Sequence, residues 1–372
     1  MLGPYGAIEA NRRRYGNTFT VQPMTQPRMV VFSDPDEIRQ IFTAEPGELV
    51  GGEPAARLLG PILGWNSLVV LDGDRYLRHR RLMMPPLHQE RMPLYFREIV
   101  RIADEVADQW PVARPFKIHG EVRKILMDVL LRTIFGFEDE RLAQVRSLQG
   151  RILDMVDSPS AGFIFLPTLR RKLGGYSPWS RFLQLRAELA SLLSEEIARC
   201  RREAGSRVDV LSLLVAARDE AGNAMTEQEL FDELFTLLMA GTETTTSALV
   251  WLFYHILARP EVMAKLRAER DRETGRGGRL MPEHVQNLSY LDAVVKESAR
   301  LTPVTTDVAR ILKRPKRIGA LDLPAGAGVS AGIYLVHHRP DVWQDPERFN
   351  PDRFIGVRPD PYAFFPFGGG DR

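Results

Sequence analysis

A helical pattern that runs from Thr226 to the residue before Pro260 is apolar on nearly every side. Phe235-Thr236-Leu237-Leu238-Met239 and Leu249-Val250-Trp251-Leu252-Phe253 leave no face for water, so this helix belongs in the middle of the protein. Thr226 and Glu229 have the spacing of a capping box, and Pro260 cannot continue the helix, which sets its two ends. At roughly thirty residues it is well beyond the ~11 to 12 typical of globular helices. Surrounding it takes a large core, and 372 residues with 44% apolar content can bury one. No linker, repeat, low-complexity tract or block of like charge divides the chain, so residues 1–372 are expected to form a single domain.

Thr18-Phe19-Thr20-Val21 and Arg28-Met29-Val30-Val31-Phe32 alternate in a strand-like way, and Ser33-Asp34-Pro35 reads as the start of a helix running to about Thr43. Residues 44–73 are rich in Gly and Pro yet carry Leu58, Leu59, Ile62, Leu63, Trp65 and Leu68, which predicts a long loop packed on something apolar. Helical periodicity covers 75–84, 93–109, 121–135, 140–156, 179–202 and 208–218, with a second apolar, Pro- and Gly-broken stretch over 158–178. Extended segments return around 308–312, 321–324 and 328–333. The fold class is therefore mainly α with a small β portion.

Composition removes several function classes. A formal net charge of +2, with scattered Arg and no basic tail, gives no footprint for nucleic acid. A single cysteine, Cys200, excludes an intrachain disulfide framework and fits a reducing cytosol. The longest apolar stretch, Ala248 to Ala258, is interrupted by His255 and too short to span a bilayer, and residues 1–14 lack the apolar core of a signal peptide. These features predict a soluble, cytoplasmic protein. The seven His show no zinc-protease spacing, and neither a phosphate-binding Gly loop nor a nucleophile elbow is present.

At the centre of the long helix sits Ala240-Gly241-Thr242-Glu243-Thr244-Thr245-Thr246, a run of poor helix formers with a carboxylate between apolar flanks. One reading is structural: Thr hydroxyls bond back to carbonyls one turn earlier, and Gly lets a neighbouring helix approach. The other is functional, because a carboxylate kept inside a helix of this kind costs several kcal/mol unless it is satisfied or used. Further on, Glu297 and Arg300 in Lys296-Glu297-Ser298-Ala299-Arg300-Leu301 share a helix face. Asp345-Pro346-Glu347-Arg348-Phe349-Asn350-Pro351-Asp352-Arg353-Phe354 follows, and the final residues read Phe367-Gly368-Gly369-Gly370-Asp371-Arg372.

In that order and spacing, from the first strands to Arg372, the motifs resemble those of the cytochrome P-450 haem-thiolate monooxygenases. The resemblance implies a triangular helical domain with the long helix lying over haem b. It casts Glu243 as the acid and Thr244 as the alcohol of an oxygen-activation motif, with Ala240 and Gly241 beside the cofactor and a local widening of the helix at Gly241. Splitting dioxygen consumes two protons, and an acid next to a hydroxyl can relay them. The resemblance makes Glu297, Arg300 and Arg348 a buried structural cluster, and it matches Tyr76, Arg80, Arg310 and Arg372 to positions that bind the haem propionates. Tyr76 stands where Trp or His is usual. Phe367, Gly368, Gly370 and Arg372 match the haem-binding loop, whose ligating cysteine would fall two positions beyond Arg372. No metal ligand is therefore expected among these residues, and the chain is expected to be incomplete at its C-terminus and at its N-terminus. On that expectation the residues as they stand form an inactive scaffold.

The implied activity is insertion of one oxygen atom of dioxygen into an apolar small molecule. No flavin or nicotinamide module is present, so electrons would come from a ferredoxin or flavodoxin with its reductase, and Arg75, Arg78 and Arg81 are candidate docking charges. Residues 58–70 and 163–169 with Met239 and Ala240 would line the substrate site. An isomerase or peroxygenase of the same fold is the alternative activity, and the Glu243-Thr244 pair argues against it.

Overall fold

The computed structural model describes residues 4–23, 26–87, 91–137, 139–158, 161–162, 166–170, 176–203, 207 and 209–370. Fourteen α-helices and seven strands occur in them. The helices are α1 (Pro4–Tyr15), α2 (Pro35–Phe42), α3 (Gly52–Leu63), α4 (Gly73–Met83), α5 (Met92–Ala107), α6 (Ile118–Phe135) and α7 (Asp139–Asp157), then α8 (Pro178–Arg202), α9 (Val210–Ala216), α10 (Glu227–Leu257), α11 (Pro260–Thr274), α12 (Pro282–Val285), α13 (Ser289–Leu301) and α14 (Ile333–His337). The strands are β1 (Phe19–Val21), β2 (Met29–Phe32), β3 (Leu49–Val50), β4 (Val308–Leu312), β5 (Lys316–Ile318), β6 (Leu321–Leu323) and β7 (Gly328–Ala331).

The chain forms two compact units, Ala55–Thr246 in one and Met1–Pro54 with Ser247–Arg372 in the other. The first is all helix among its described residues. Its core runs from Ile62 and Leu63 through Leu131, Phe135 and Phe137 to Phe182, Leu189 and Leu193, and on to Leu230, Phe235 and Leu238 of α10. The second holds both sheets. β1-β2-β7-β4-β3 form one and β5-β6 the other, with β2 and β7 parallel, Met29 opposite Gly328, and the remaining pairs antiparallel. Phe32, Ile38, Val329, Ile333 and Val336 are wholly enclosed in its core.

α10 spans 31 residues, and its start is closed as the capping box requires. Thr226 N–H donates to Glu229 Oε2 at 2.8 Å, and Glu229 N–H donates to Thr226 Oγ1 at 3.2 Å. The helix is unbroken, with no widened turn at Gly241. What the missing side chain allows there is close approach: a Cβ on Gly241 would lie 3.3 Å from Leu130 Cδ1 of α6. The segment read as a long loop, 44–73, contains β3 and the twelve-residue α3, whose Pro61 lies inside the helix. Packing of Leu59, Ile62 and Leu63 on the helical core outweighs the low helix propensity of Gly and Pro in that stretch.

Candidate functional site

In the first half of α10 the side chains are enclosed, from Leu230 through Thr236 and again at Leu238. In the middle this changes: Ala240, Thr244 and Ala248, spaced by four, are exposed, so one face of the helix carries only small side chains and is uncovered. Thr244 Oγ1 donates to Ala240 O at 2.6 Å, the back-bond that leaves both Oγ1 lone pairs on the open face. Thr242 and Thr246 are wholly buried on another side, where Thr242 Oγ1 donates to Leu238 O at 2.8 Å.

Glu243 lies between these faces and is less buried than its apolar flanks suggest, at 23% exposure. Its Oε1 is 2.6 Å from Arg123 Nε of α6, and its Oε2 is 3.9 Å from His119 Nε2. Arg123 also reaches α7, with Nη1 3.1 Å from Asp154 Oδ1 and Nη2 in contact with Asp157. Burial opposes the guanidinium's charge, but the carboxylates of Glu243 and Asp157 outweigh it and raise Arg123 above the ordinary arginine range. Arg123 and His119 left no mark in the sequence, because nothing local distinguishes them from other charged residues on a helix.

Tyr76 and Arg80 of α4 meet as their spacing predicts: Arg80 Nη1 donates to Tyr76 OH at 2.7 Å, and the Tyr76 ring is 92% enclosed, with 8% exposure. The other charges of α4 are engaged rather than displayed. Arg78 bonds Asp219 at 2.7 Å and Glu229 at 3.0 Å, Arg81 pairs with Glu220, and Arg75 bonds Asn66 Oδ1 at 2.9 Å. Of these three candidate docking charges Arg78 is the most enclosed. Between Arg78 and Arg80, buried His79 sits with Nδ1 2.7 Å from Glu233 and Nε2 3.2 Å from Glu229.

The turn after α3 is fastened to α10 by Asp232, which the sequence reading passed over. Asn66 N and Nδ2 donate to Asp232 Oδ2 at 3.1 and 2.9 Å, and Arg186 Nη2 donates to Oδ1 at 2.9 Å. Gly64, at φ +108°, passes so close that a Cβ would stand 2.1 Å from the carboxylate. Of the segments expected to line a substrate site, 58–70 and Met239 fall in this unit, and Phe163 to Phe165 lie outside the described residues.

In the second unit Glu297 and Arg300 form a bidentate pair, Nε to Oε2 at 2.8 Å and Nη2 to Oε1 at 2.9 Å, with both side chains at 0% exposure. Arg348 does not complete this cluster. Its side chain is exposed and only its carbonyl takes part, accepting from Arg300 Nη2 at 3.4 Å. Arg353 supplies the second guanidinium, with Nε 3.1 Å from Glu297 Oε1. The short 3-10 turn at 351–354 swings Arg353 inward and leaves Arg348 outside, which spacing alone does not tell. Arg300 Nη1 also donates to His337 O at 2.6 Å. Burial, with Arg300 nearby, pushes His337 down to about 3.

The Gly-rich tail folds against Phe42 of α2. Gly368 and Gly370 have φ of +84° and +83°, and a Cβ on Gly369 would stand 2.5 Å from the Phe42 ring, so this close turn tolerates only glycine there. Arg310 Nη2 approaches Gly369 O at 3.5 Å, and Phe367 points out at 96% exposure. A cavity of about 550 Å³ beside the turn is lined by Phe42, Val295, Ala299, Phe364 and Phe367. Arg372 lies outside the described residues.

In the helical unit Arg80 and Tyr76 are hydrogen-bond donors of the kind that hold a carboxylate, and the small side chains on the open face of α10 leave room for a ring system; in the other unit Arg310 is a further donor of this kind. Cys200 takes no part: it is 3% exposed in α8, and burial raises its thiol.

The chain belongs to the cytochrome P450 family, which it matches over residues 3–372. These are haem proteins that act as monooxygenases on dioxygen with the help of redox partners. It is 36% identical over 368 residues to "Putative cytochrome P450 135B1" of Mycobacterium tuberculosis, covering 98% of this chain and 75% of that one. It is 33% identical over 363 residues to "Putative cytochrome P450 138" of the same organism, covering 97% and 78%. Among solved structures, the retinoic acid-bound cyanobacterial CYP120A1 superposes with a TM-score of 0.84 at 25% identity, covering 97% of this chain and 81% of that one. The cytochrome P450DA heme domain superposes at 0.83 with 19% identity, over 100% and 81%, a likeness of fold. Among the described residues no helix is long and apolar enough to cross a membrane.

Proposed function

We propose that the protein inserts one oxygen atom of dioxygen into an apolar organic substrate, by hydroxylation or epoxidation, with haem b as cofactor and a ferredoxin or flavodoxin with its reductase as electron source. One observation carries this reading: the exposed strip Ala240, Thr244 and Ala248 in the middle of a buried helix, with the Glu243 carboxylate on the adjoining residue. Haem b supplies dioxygen activation when bound, and that chemistry consumes two protons. Thr244 Oγ1 would hold a proton at the open face, and Glu243 would replace it from the other side of the helix. Ala240 and Gly241 would leave space beside the cofactor. Arg80, Tyr76, Arg310 and Arg372 would bind its propionates, and Phe367, Gly368 and Gly370 would form the turn that helps to hold it.

An apolar substrate fits the Leu- and Ile-bearing stretch 58–70, and the retinoic acid bound by the cyanobacterial relative is of the same apolar kind. Glu297, Arg300 and Arg353 are assigned the structural role. A carbon monoxide difference spectrum of the reduced full-length protein tests the cofactor reading, which expects a thiolate-type Soret band and fails without it. Replacing Thr244 by Ala is expected to divert electrons to peroxide about tenfold or more, within the range for loss of a proton-transfer group. Unchanged coupling would favour an isomerase or peroxygenase.

A further inference from the structure

The interior polar atoms of the helical unit are unevenly distributed. Among its described residues nine buried side-chain N or O atoms lack a hydrogen bond, and six of them belong to three helices: Arg123 and Asp128 of α6, Arg146 and Gln149 of α7, Glu243 and Thr246 of α10. Some of these have ionic company. Arg123 Nε and Glu243 Oε1 are 2.6 Å apart, and Arg146 Nη2 and Asp128 Oδ1 are 2.6 Å apart. Gln149 Oε1 and Thr246 Oγ1 have none, although both side chains are at 0% exposure. Gln149 Nε2 donates to Leu238 O at 3.0 Å and to Thr242 Oγ1 at 2.8 Å, and this fixes the amide against α10. Thr246 is one turn beyond Thr242 and three residues from Glu243, so all three lie on the side of α10 that meets α6 and α7.

Buried polar atoms of this kind are ordinarily satisfied by ordered water, which needs two to four polar partners. The outer end of this group opens to solvent, with His119 at 45%, Asp157 at 47% and Asp154 at 74% exposure. His119 Nε2 is 3.9 Å from Glu243 Oε2, beyond direct hydrogen-bond reach, so a proton crossing this gap needs a water or a small turn of the exposed His119 ring.

We propose that protons enter between α6 and α7, through His119 at the surface and water held against Gln149 and Thr246, and that Arg123 is the positioning residue that keeps Glu243 turned toward this inlet. The proposal rests on the reading of Glu243 as the acid of the α10 pair. In each delivery the Nε2–H bond of a protonated His119 breaks, the proton passes through one water, an O–H bond forms on Glu243 Oε2, and solvent reprotonates His119. Asp154 and Asp157 hold Arg123 from the α7 side, and Glu243 holds it from α10. No other charged group is in ion-pair contact with Glu243 among the described residues.

The test uses infrared spectroscopy of the ferric full-length holoenzyme, following the carboxyl band that disappears in Glu243→Gln. Arg123→Met is expected to slow the deuterium shift of that band, after mixing into heavy water, by about tenfold or more, and Arg123→Lys to restore the parent rate. His119→Phe is expected to slow the deuterium shift of the band, after mixing into heavy water, by about tenfold or more, in keeping with loss of a positioned proton carrier. A band that exchanges as in the parent in both Arg123→Met and His119→Phe overturns the inlet. Should Arg123→Met fail to fold, Asp157→Asn carries the positioning arm, and parent-like exchange of the band there overturns it. Coupled turnover of Glu243→Gln separates the two levels. Parent-like coupling there sinks the acid reading itself, while uncoupling together with parent-like exchange in His119→Phe sinks the inlet alone.

Discussion

Nε of Arg353 lies 3.1 Å from Oε1 of Glu297, which places a second guanidinium on a carboxylate that Arg300 already holds through two hydrogen bonds. Because Glu297 and Arg300 are fully enclosed, removing one partner strands a charge with no water to take its place. Arg300→Leu is expected to destabilise the protein by about 3–5 kcal/mol. Arg353→Ala should cost about 1–3 kcal/mol, since Asn350 N and Arg300 still satisfy the carboxylate. Arg348→Ala should fall within about 0.5 kcal/mol of the parent. Urea unfolding midpoints of the three variants check the ranking, and an Arg348→Ala midpoint as low as that of Arg353→Ala would contradict it.

Gly64 and Gly222 both have positive φ, +108° and +80°, but a Cβ at Gly64 would stand 2.1 Å from the Asp232 carboxylate while one at Gly222 would meet nothing within 4 Å. Gly222→Ala is expected to cost about 1 kcal/mol of backbone strain. Gly64→Ala should cost several kcal/mol, because strain and overpacking both apply. Thermal denaturation of the pair separates conformation from collision. Equal losses would show that Asp232 gives way freely.

Burial drives His255 down to about 4, with Arg259 and Arg300 adding to the effect, and His337 down to about 3. Both folded values lie below the ordinary 6.5, so between pH 6.5 and about 4 the unfolded chain binds protons that the folded chain refuses. Stability is therefore complete above pH 6.5 and falls as the solution is acidified, with each histidine contributing up to about 1.4 kcal/mol per pH unit. Because burial also lowers His338 and raises Glu37 and Asp128, the share of one histidine between pH 6.5 and 5 is read by difference from its variant. The slope of unfolding free energy against pH in this window should flatten in His255→Gln. An unchanged slope would assign the acid sensitivity elsewhere.

Cys200 is enclosed by α8 and its thiol is raised by burial, so little thiolate exists in the folded protein. A thiol reagent such as dithionitrobenzoate should label it only as fast as the protein opens. Labelling that begins at once under native conditions would show that this stretch of α8 opens separately.

The long helix was readable because its signal is local and repeated: the capping box, the unbroken apolar periodicity and the closing Pro260 all act within a few turns. The same holds for α4 to α8 and for β1, β2, β4 and β7 of the main sheet, while β3 lay hidden in the segment read as a loop. Where low-propensity residues are held in a helix by packing, as at α3 with Pro61, local signals point the wrong way and only the core decides. Glu243 and Thr244, the proposed acid and alcohol of α10, were visible as part of a run of unusual residues, and Tyr76 with Arg80 as a helical pair.

By itself the sequence determined the class of fold, the course of the buried helix and the residues that mark its centre, because hydrophobic period, caps and Gly placement act over short stretches of chain. Which charges meet was decided only in three dimensions. Arg353 rather than Arg348 joins Glu297, Arg123 and His119 approach Glu243, and Arg78 is tied to Asp219 and Glu229. A guanidinium reaches across several ångströms and its partners come from distant parts of the chain. Its pairing is therefore fixed by how the helices pack and leaves no trace in the neighbouring residues.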